Sequence, residues 1–479
     1  MSRPFYLTTT LPYVNADPHI GFALEIVQAD IVVRYRALLG DDVFFNTGTD
    51  EHGLKIHRKA QEEGKDTQTY VDGYAARFKS LKEKLNLYPD LHFIRTTDPH
   101  HKTAAQEFWR CCLKNGDIYK KTYQVKYCVG CELEKTDSEL IDGKCPLHPN
   151  ITVELLDEEN YFFKFSKYQK PLLDMYAMRP DFVVPDYRFN EIKAFVARGL
   201  EDFSVSRLAS KMPWGIPVPD DASQVMYVWF DALINYVSTL GWPEDSEKFE
   251  KFWGTNVAPR AIQVAGKDNL RQQSAMWQAM LLSAELPPTK QIVIHGFITS
   301  GGTKMSKSLG NVIDPMTIID EYGPDSLRLY LARHIHPFED SDFTMEKFKE
   351  SYNADLVNGL GNLAARIMML AQTNLPEPVQ TTDVSTPKTY SDALDRYDCN
   401  AATDYIWSLI KALDGRLTTE KPFVIVKEEP EKGKMIIAEC VTELSLIARL
   451  LQPFMPSTSD AILSAVAANK KPENLFPRR

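Results

Sequence analysis

Four groups of residues in this chain have the types and spacing that chemistry needs. The first is Pro18-His19-Ile20-Gly21-Phe22, set between a strand-like stretch and a helix-like one. A helix N-terminus there offers free N–H groups and the positive end of the helix dipole. Gly21 lets a phosphate approach the backbone, and His19 has a ring N–H to give to a phosphate oxygen. The plain alternative is a turn with a surface histidine. The second group is Lys304-Met305-Ser306-Lys307-Ser308, behind the turn Gly301-Gly302. Two lysines on a loop can clamp a leaving pyrophosphate, where charge builds up during nucleotidyl transfer. A solvated basic loop is the alternative. The third group is Cys128-Val129-Gly130-Cys131 followed by Cys145-Pro146-Leu147-His148. Two close pairs joined by a short ribbon suit one tetrahedral Zn²⁺ per chain. A set made of Cys128, Cys131, Cys145 and His148 leaves no open position, so it reads as structural. Reduced, unligated cysteines in a loop are the alternative. The fourth group is Asn362 with Arg366, four apart and so on one face of a helical segment.

These residues need elements to position them. Residues 5–10 read as a first strand, rich in aromatic and β-branched side chains. A loop bearing Pro12, Asn15 and Pro18 follows, then a helix through Ile26, Ala29 and Ile31–Val33 that ends near Gly40. Val43–Phe45 is a second strand, and residues 70–85 look helical. Strand, helix, strand opens a parallel α/β sheet. Residues 117–225 change character, with aromatic-rich short strands, the cysteines and Pro-containing turns, and read as an inserted domain. The α/β pattern resumes with a helix at Tyr227, a strand Ala261–Val264, a helix Ala275–Leu282 and a strand Gln291–Ile294. Beyond residue 350 the pattern is helical, over 353–373, 391–415, 433–451 and 458–468, with a Pro/Thr-rich connector at 376–389. The expected division is 1–116 and 226–300 as two halves of one catalytic domain, 117–225 as the insertion, 301–350 as a linking region, and 351–479 as a helical domain.

Composition sets outer bounds. A chain of 479 residues with 44% hydrophobic and 25% charged residues supports several globular cores. No run approaches the ~18 apolar residues of a membrane span. The N-terminus lacks the layout of a secretory signal, and seven cysteines do not form a disulfide framework, so a cytoplasmic protein is expected. A net charge of −10 does not suggest a general nucleic-acid binder, though local basic patches fit on an acidic body.

The His-Ile-Gly element in the first strand–helix turn, with Lys-Met-Ser-Lys-Ser after the last strand, resembles the class I aminoacyl-tRNA synthetases. The residues between resemble their methionine-specific branch: Thr10-Leu11-Pro12-Tyr13, Gly48-Thr49-Asp50-Glu51-His52-Gly53, Tyr227-Val228-Trp229-Phe230-Asp231-Ala232 and Gly266-Lys267-Asp268-Asn269. The matches run from residue 5 to about residue 370. The resemblance implies a split Rossmann-type parallel sheet, a zinc-binding insertion and a C-terminal α-helical bundle. It implies a wall around methionine's thioether made by Leu11, Tyr13, Trp229, Ala232, Leu233, Tyr236, Gln273 and Trp277, with Asp50 on the α-ammonium group. Gly266 and Asp268 would meet the ribose and adenine of ATP. His19, Gly21, Lys304, Ser306 and Lys307 would meet its phosphates, and His19, Lys304 and Lys307 would carry most of the catalysis. Asn362, Arg366 and Phe423 would read the anticodon. ATP with Mg²⁺, L-methionine and tRNA(Met) are the implied partners, with no membrane. A chain ending at Arg479, short of the dimerising domain of some relatives, suggests a monomer.

Three positions depart from that pattern. The first tetrad ends in Phe22 where the family has His or Asn. Gln272-Gln273 replaces a Phe-His pair, and Phe423 stands where a tryptophan usually stacks on the anticodon. The alternatives are another class I synthetase, for leucine, isoleucine, valine or cysteine, and a non-catalytic tRNA-binding relative. The branched-chain enzymes carry a larger editing domain than 117–225 allows, and a cysteine enzyme would place zinc in its substrate pocket. A zinc-ribbon nucleic-acid module would account only for the cysteine segment.

Overall fold

The computed structural model describes residues 2–128, 133–135, 140–146, 149–150, 152–305, 311–381 and 385–479. Six strands form one parallel sheet: β1 (Pro4–Thr9), β2 (Asp42–Thr49), β3 (His92–Arg95), β4 (Val183–Val184), β5 (Ala261–Gly266) and β6 (Gln291–His295). Their spatial order is β3-β2-β1-β5-β6-β4, with Tyr6 opposite both Phe44 and Ala261. β5 reads Ala-Ile-Gln-Val-Ala-Gly and is buried along its whole length, as a parallel strand covered on both faces must be. Alternation sends its side chains to two cores. Phe5, Leu7, Ile262, Val264 and Val293 join one apolar cluster, while Tyr6, Ala261, Ala265, Ile292 and Ile294 join the other.

The first helix, Ile20–Leu38, lies on the first of these cores and is buried from Ala23 to Tyr35. The connection from β1 leads by this helix to β2 on one side, whereas β5 leads to β6 on the other. Strand order therefore reverses between β1 and β5, and a crevice opens beyond their carboxyl ends, where ligands of such sheets bind.

The segment read as an insertion begins as an antiparallel ribbon, Ile118–Cys128 against Glu154–Phe163. It is not all strand and turn. Helices Gln169–Met178 and Asp186–Ala197 follow, and between them Val183–Val184 pairs with β6 as the edge of the main sheet. The expected helix 391–415 is two helices, Lys388–Leu394 and Cys399–Glu420. Between them Tyr397 takes φ 62°, and the Asp398 carboxylate accepts from Ala401 N–H at 2.9 Å to start the second helix. Helices Tyr352–Asn374, Pro422–Glu428, Pro430–Leu451 and Pro456–Ala468 complete the C-terminal region. Among the described residues no helix is long and apolar enough to cross a membrane.

Candidate active site

The crevice beyond β1 and β5 is a cavity of about 1140 Å³. One end of it is apolar. Leu11 and Tyr13 come from the loop after β1; Trp229, Ala232, Leu233 and Tyr236 come from the short helices after Tyr227. Gln273 reaches the wall from Gln272–Met276, a widened helical turn of the kind often found at functional sites. Its Nε2–H donates to the Tyr236 hydroxyl at 2.7 Å, while its Oε1 is buried without a partner. Trp277, expected in the wall, stands behind it. It is fully buried, stacked on Phe108 and edge-on to Tyr236, so it fixes the tyrosine rather than lining the cavity.

Asp50 closes the other side of this apolar end. The loop pins its backbone: Asp50 N–H donates to Pro12 O at 3.0 Å, and Val14 N–H donates to Asp50 O at 3.2 Å. Asp50 is 7% exposed, and its Oδ1 is buried without a partner. Burial first, and then the negative charge of Asp231, push the Asp50 carboxyl well above the ordinary carboxylate range. Asp231 itself is fully buried between His52 at 2.6 Å and His101 at 2.9 Å. Burial alone would raise it, but the two histidines draw it down to about 2. A site that holds one carboxylate short of partners, beside an apolar wall, suits a ligand with an ammonium group and an apolar side chain.

His19 caps the first helix. Its Nδ1 accepts from Gly21 N–H at 3.1 Å, which leaves Nε2 to carry the proton of the neutral ring. Burial lowers its pKa, favouring that neutral donor form. Phe22 lines the cavity as an apolar ring, edge-on to Phe78 at 5.2 Å, so it anchors the first turn of the helix to Thr67–Lys84 and gives no hydrogen bond to a ligand. Across the cavity Gly266 ends β5, and Asp268 stands just beyond it, exposed to the cavity. A Cβ at Gly266 would come within 2.9 Å of Asp268 Oδ1, so a side chain there would crowd the carboxylate. Lys304 lies in the two-residue strand that pairs with Ile298–Ser300, the element that follows β6. Its side chain, and all of Ser306 and Lys307, lie outside the described residues.

Sequence reasoning missed four contributors. Glu25 and His295 form a buried pair at 2.9 Å in the cavity wall. Arg207 also lines it, lying 4.3 Å from the Tyr227 ring and donating to Ser206 O at 2.7 Å. Asp231 lies in the string Tyr227–Ala232 but carries no mark of its own there. Glu25 could have been suspected as an acidic residue in an apolar helical run, but nothing near it in sequence marks its partner.

The cysteine pairs are half visible. Cys128 ends its strand, and Cys145 follows a tight turn in which Ile141 and Lys144 exchange two hydrogen bonds at 3.0 Å. Both cysteines are fully buried while residues 141–144 and Pro146 around Cys145 are exposed. Buried thiols in a segment this poor in apolar cover are what a metal-centred turn requires, so the residues fit zinc. Cys131 and His148 lie outside the described residues.

In the helical region Asn362 is exposed at the head of Asn362–Asn374, immediately after ten residues of widened turn. Arg366, one turn on, pairs with Asp414 at 2.6 Å. Phe423 lies in the first turn of the helix Pro422–Glu428, where Pro422 sets the start, and the residue is 45% exposed.

This arrangement has counterparts among known proteins. A family model described as class I tRNA synthetases (M) matches residues 5–154 and 148–368, and one described as the anticodon binding domain of methionyl tRNA ligase matches 374–476. The chain is 41% identical to the methionine–tRNA ligase of Thermosynechococcus vestitus, over 96% of this chain and 90% of that protein. It is 39% identical to that of Thermotoga maritima, over 98% and 76%. Among solved structures, Mycobacterium tuberculosis methionyl-tRNA synthetase in complex with methionyl-adenylate is similar at a TM-score of 0.86 and 33% identity. All of this chain and 99% of that one are covered.

Proposed function

The chain belongs to the methionine–tRNA ligase family of class I synthetases, and from that premise we propose how its own residues divide the work. It activates methionine with ATP to methionyl-adenylate and charges the product onto tRNA. The observation that carries the residue assignment is Asp50: a buried carboxylate with an unpartnered oxygen, flanked by an apolar wall and facing a helix N-terminus across one cavity.

Methionine's ammonium group sits at Asp50 and its thioether among Leu11, Tyr13, Trp229, Ala232, Leu233 and Tyr236. Aromatic walls favour sulfur and adapt to an unbranched chain. Gly266 and Asp268 take the adenosine. The phosphates lie along Gly21 and the His19 ring, so that His19 Nε2–H donates to oxygens whose charge grows as the methionine carboxylate attacks the α-phosphorus. Mg²⁺, taken with ATP, supplies countercharge to the phosphates. Lys304, Ser306 and Lys307 close on the departing pyrophosphate. No side chain acts as nucleophile; placement and electrostatics supply the rate. The insertion holds one Zn²⁺ through Cys128, Cys131, Cys145 and His148, and the helical region reads the anticodon with Asn362, Arg366 and Phe423.

ATP–pyrophosphate exchange with a panel of amino acids tests the pocket. Methionine should exceed leucine, isoleucine, valine and cysteine by about 10- to 200-fold or more in kcat/KM, the range one misfitting group commands. A branched amino acid running as fast as methionine would overturn the assignment.

A further inference from the structure

Glu25 occupies an unusual place for a helical carboxylate. It is 5% exposed on the first helix, one turn beyond Gly21, and all its hydrogen-bonding capacity is directed into the cavity wall. Oε1 accepts from both Thr10 N–H at 2.7 Å and the Thr10 hydroxyl at 2.6 Å. Oε2 accepts from His295 Nε2–H at 2.9 Å, and the opposite ring nitrogen donates to Gly296 O at 2.7 Å. Both ring nitrogens thus face acceptors, an arrangement that favours the doubly protonated ring. Burial would lower its pKa, but Glu25, the Gly296 carbonyl and Asp268 together raise it.

The chain path gives this bridge its meaning. Thr10 immediately precedes Leu11-Pro12-Tyr13, one side of the methionine wall. His295 ends β6 and Gly296 follows it, and the His295 ring lies 3.6 Å from where a Cβ of Gly266 would stand. One carboxylate therefore joins a loop from the first half of the sheet to the nucleotide seat of the second half. We propose that Glu25 is a positioning residue that couples the two substrate sites, so that methionine and ATP each bind more tightly when the other is present. It rests on the placement of methionine against Leu11–Tyr13 and of adenosine against Gly266–Asp268. A ligand that orders either end of the bridge orders the other, and the resulting gain must be the same in both directions.

Titration calorimetry with L-methioninol, which lacks the reacting carboxylate, and ATP·Mg²⁺ tests this. In the wild-type protein saturating ATP should tighten methioninol by at least about fivefold, and methioninol should tighten ATP by the same factor. Glu25→Gln keeps the size of the side chain but cannot accept from both Thr10 and His295, and its coupling factor should fall close to one while each ligand alone still binds. Thr10→Val removes only the hydroxyl bond, leaves the backbone donor and should lose part of the coupling, which guards against a misfolded Glu25 variant. Wild-type coupling in Glu25→Gln, or none in the wild type, overturns the proposal. If instead Tyr13→Ala leaves methioninol binding unchanged or Asp268→Ala leaves ATP binding unchanged, the placement of the ligands has failed and the coupling falls with it.

Discussion

Asp50 carries the sharpest electrostatic conflict in the cavity, and its sign makes a prediction about pH. Its folded-state pKa is raised, so the ligand-free protein holds a proton there that the unfolded chain would release. Stability of the free protein should therefore fall as pH rises from the ordinary carboxylate value through the raised one. An ammonium group reverses the balance by favouring the charged form, so methionine binding should expel that proton. KM for methionine should accordingly fall as pH rises through the raised pKa, and calorimetry in buffers of different ionisation heat should register proton release. Asp50→Asn should abolish the pH dependence, raise KM by at least about thirtyfold through the lost charge pair, and melt higher than wild type without ligand. A variant with unchanged KM would remove Asp50 from the ammonium site. This residue was legible in sequence because it sits in the compact string Gly48–Gly53. Glu25 and His295 were not, because they are 270 positions apart and mean nothing until the sheet brings them together.

Elements were legible in proportion to the length of their pattern. The first helix and β1, β2, β5 and β6 announce themselves by runs of apolar residues bounded by Gly or Pro. Val183–Val184 could not, because two residues carry no period, and the chain's brief return to the main sheet was hidden inside what read as an insertion. The break at Tyr397 was hidden too, since a left-handed tyrosine has no sequence signature and only the Asp398 cap hints at a new helix. The cysteine turn, proposed to hold zinc, is the opposite case, with spacing explicit and apolar cover scarce. Exposed residues 141–144 bury almost nothing, so the proposed metal would supply the turn's stability. Purified protein should hold about one Zn²⁺ per chain by elemental analysis. Cys145→Ser should lose it and lower tRNA charging more than pyrophosphate exchange, as the turn lies at the end of the ribbon and outside the cavity wall. Full zinc content in Cys145→Ser would show that the metal sits elsewhere.

Among the described residues two apolar cores each join segments that are far apart in sequence. One runs without a break from Phe5 and Leu7 through the first helix to Leu444 and Val466 of the C-terminal helices; the other joins the base of the insertion to the second half of the sheet. At the centre of the first lies Arg328, with no exposed surface. Its guanidinium donates to Pro453 O at 2.7 Å, Phe454 O at 2.9 Å and Leu85 O at 3.3 Å, and pairs with Asp30 of the first helix at 2.7 Å. Asp30 also pairs with Arg34 at 2.8 Å and accepts from Tyr88 N–H at 2.5 Å. One side chain therefore fastens the C-terminal helices, the helix that carries His19 at its head and the loop before β3. Arg328→Ala would leave three buried carbonyls without a donor and should cost about 3–5 kcal/mol, the penalty for breaking a buried charge pair. Arg328→Lys should recover only part, because three donors on a flexible stem cannot reach four acceptors at once. Because the catalytic and helical regions share one core, both should unfold in a single calorimetric transition, and that transition should move down as a whole in the variant. Arg328 does not line the cavity, so pyrophosphate exchange well below the melting temperature should stay near wild type. Two separate transitions in the wild type would break the shared-core account. Loss of exchange without loss of stability would instead give Arg328 a part in the chemistry.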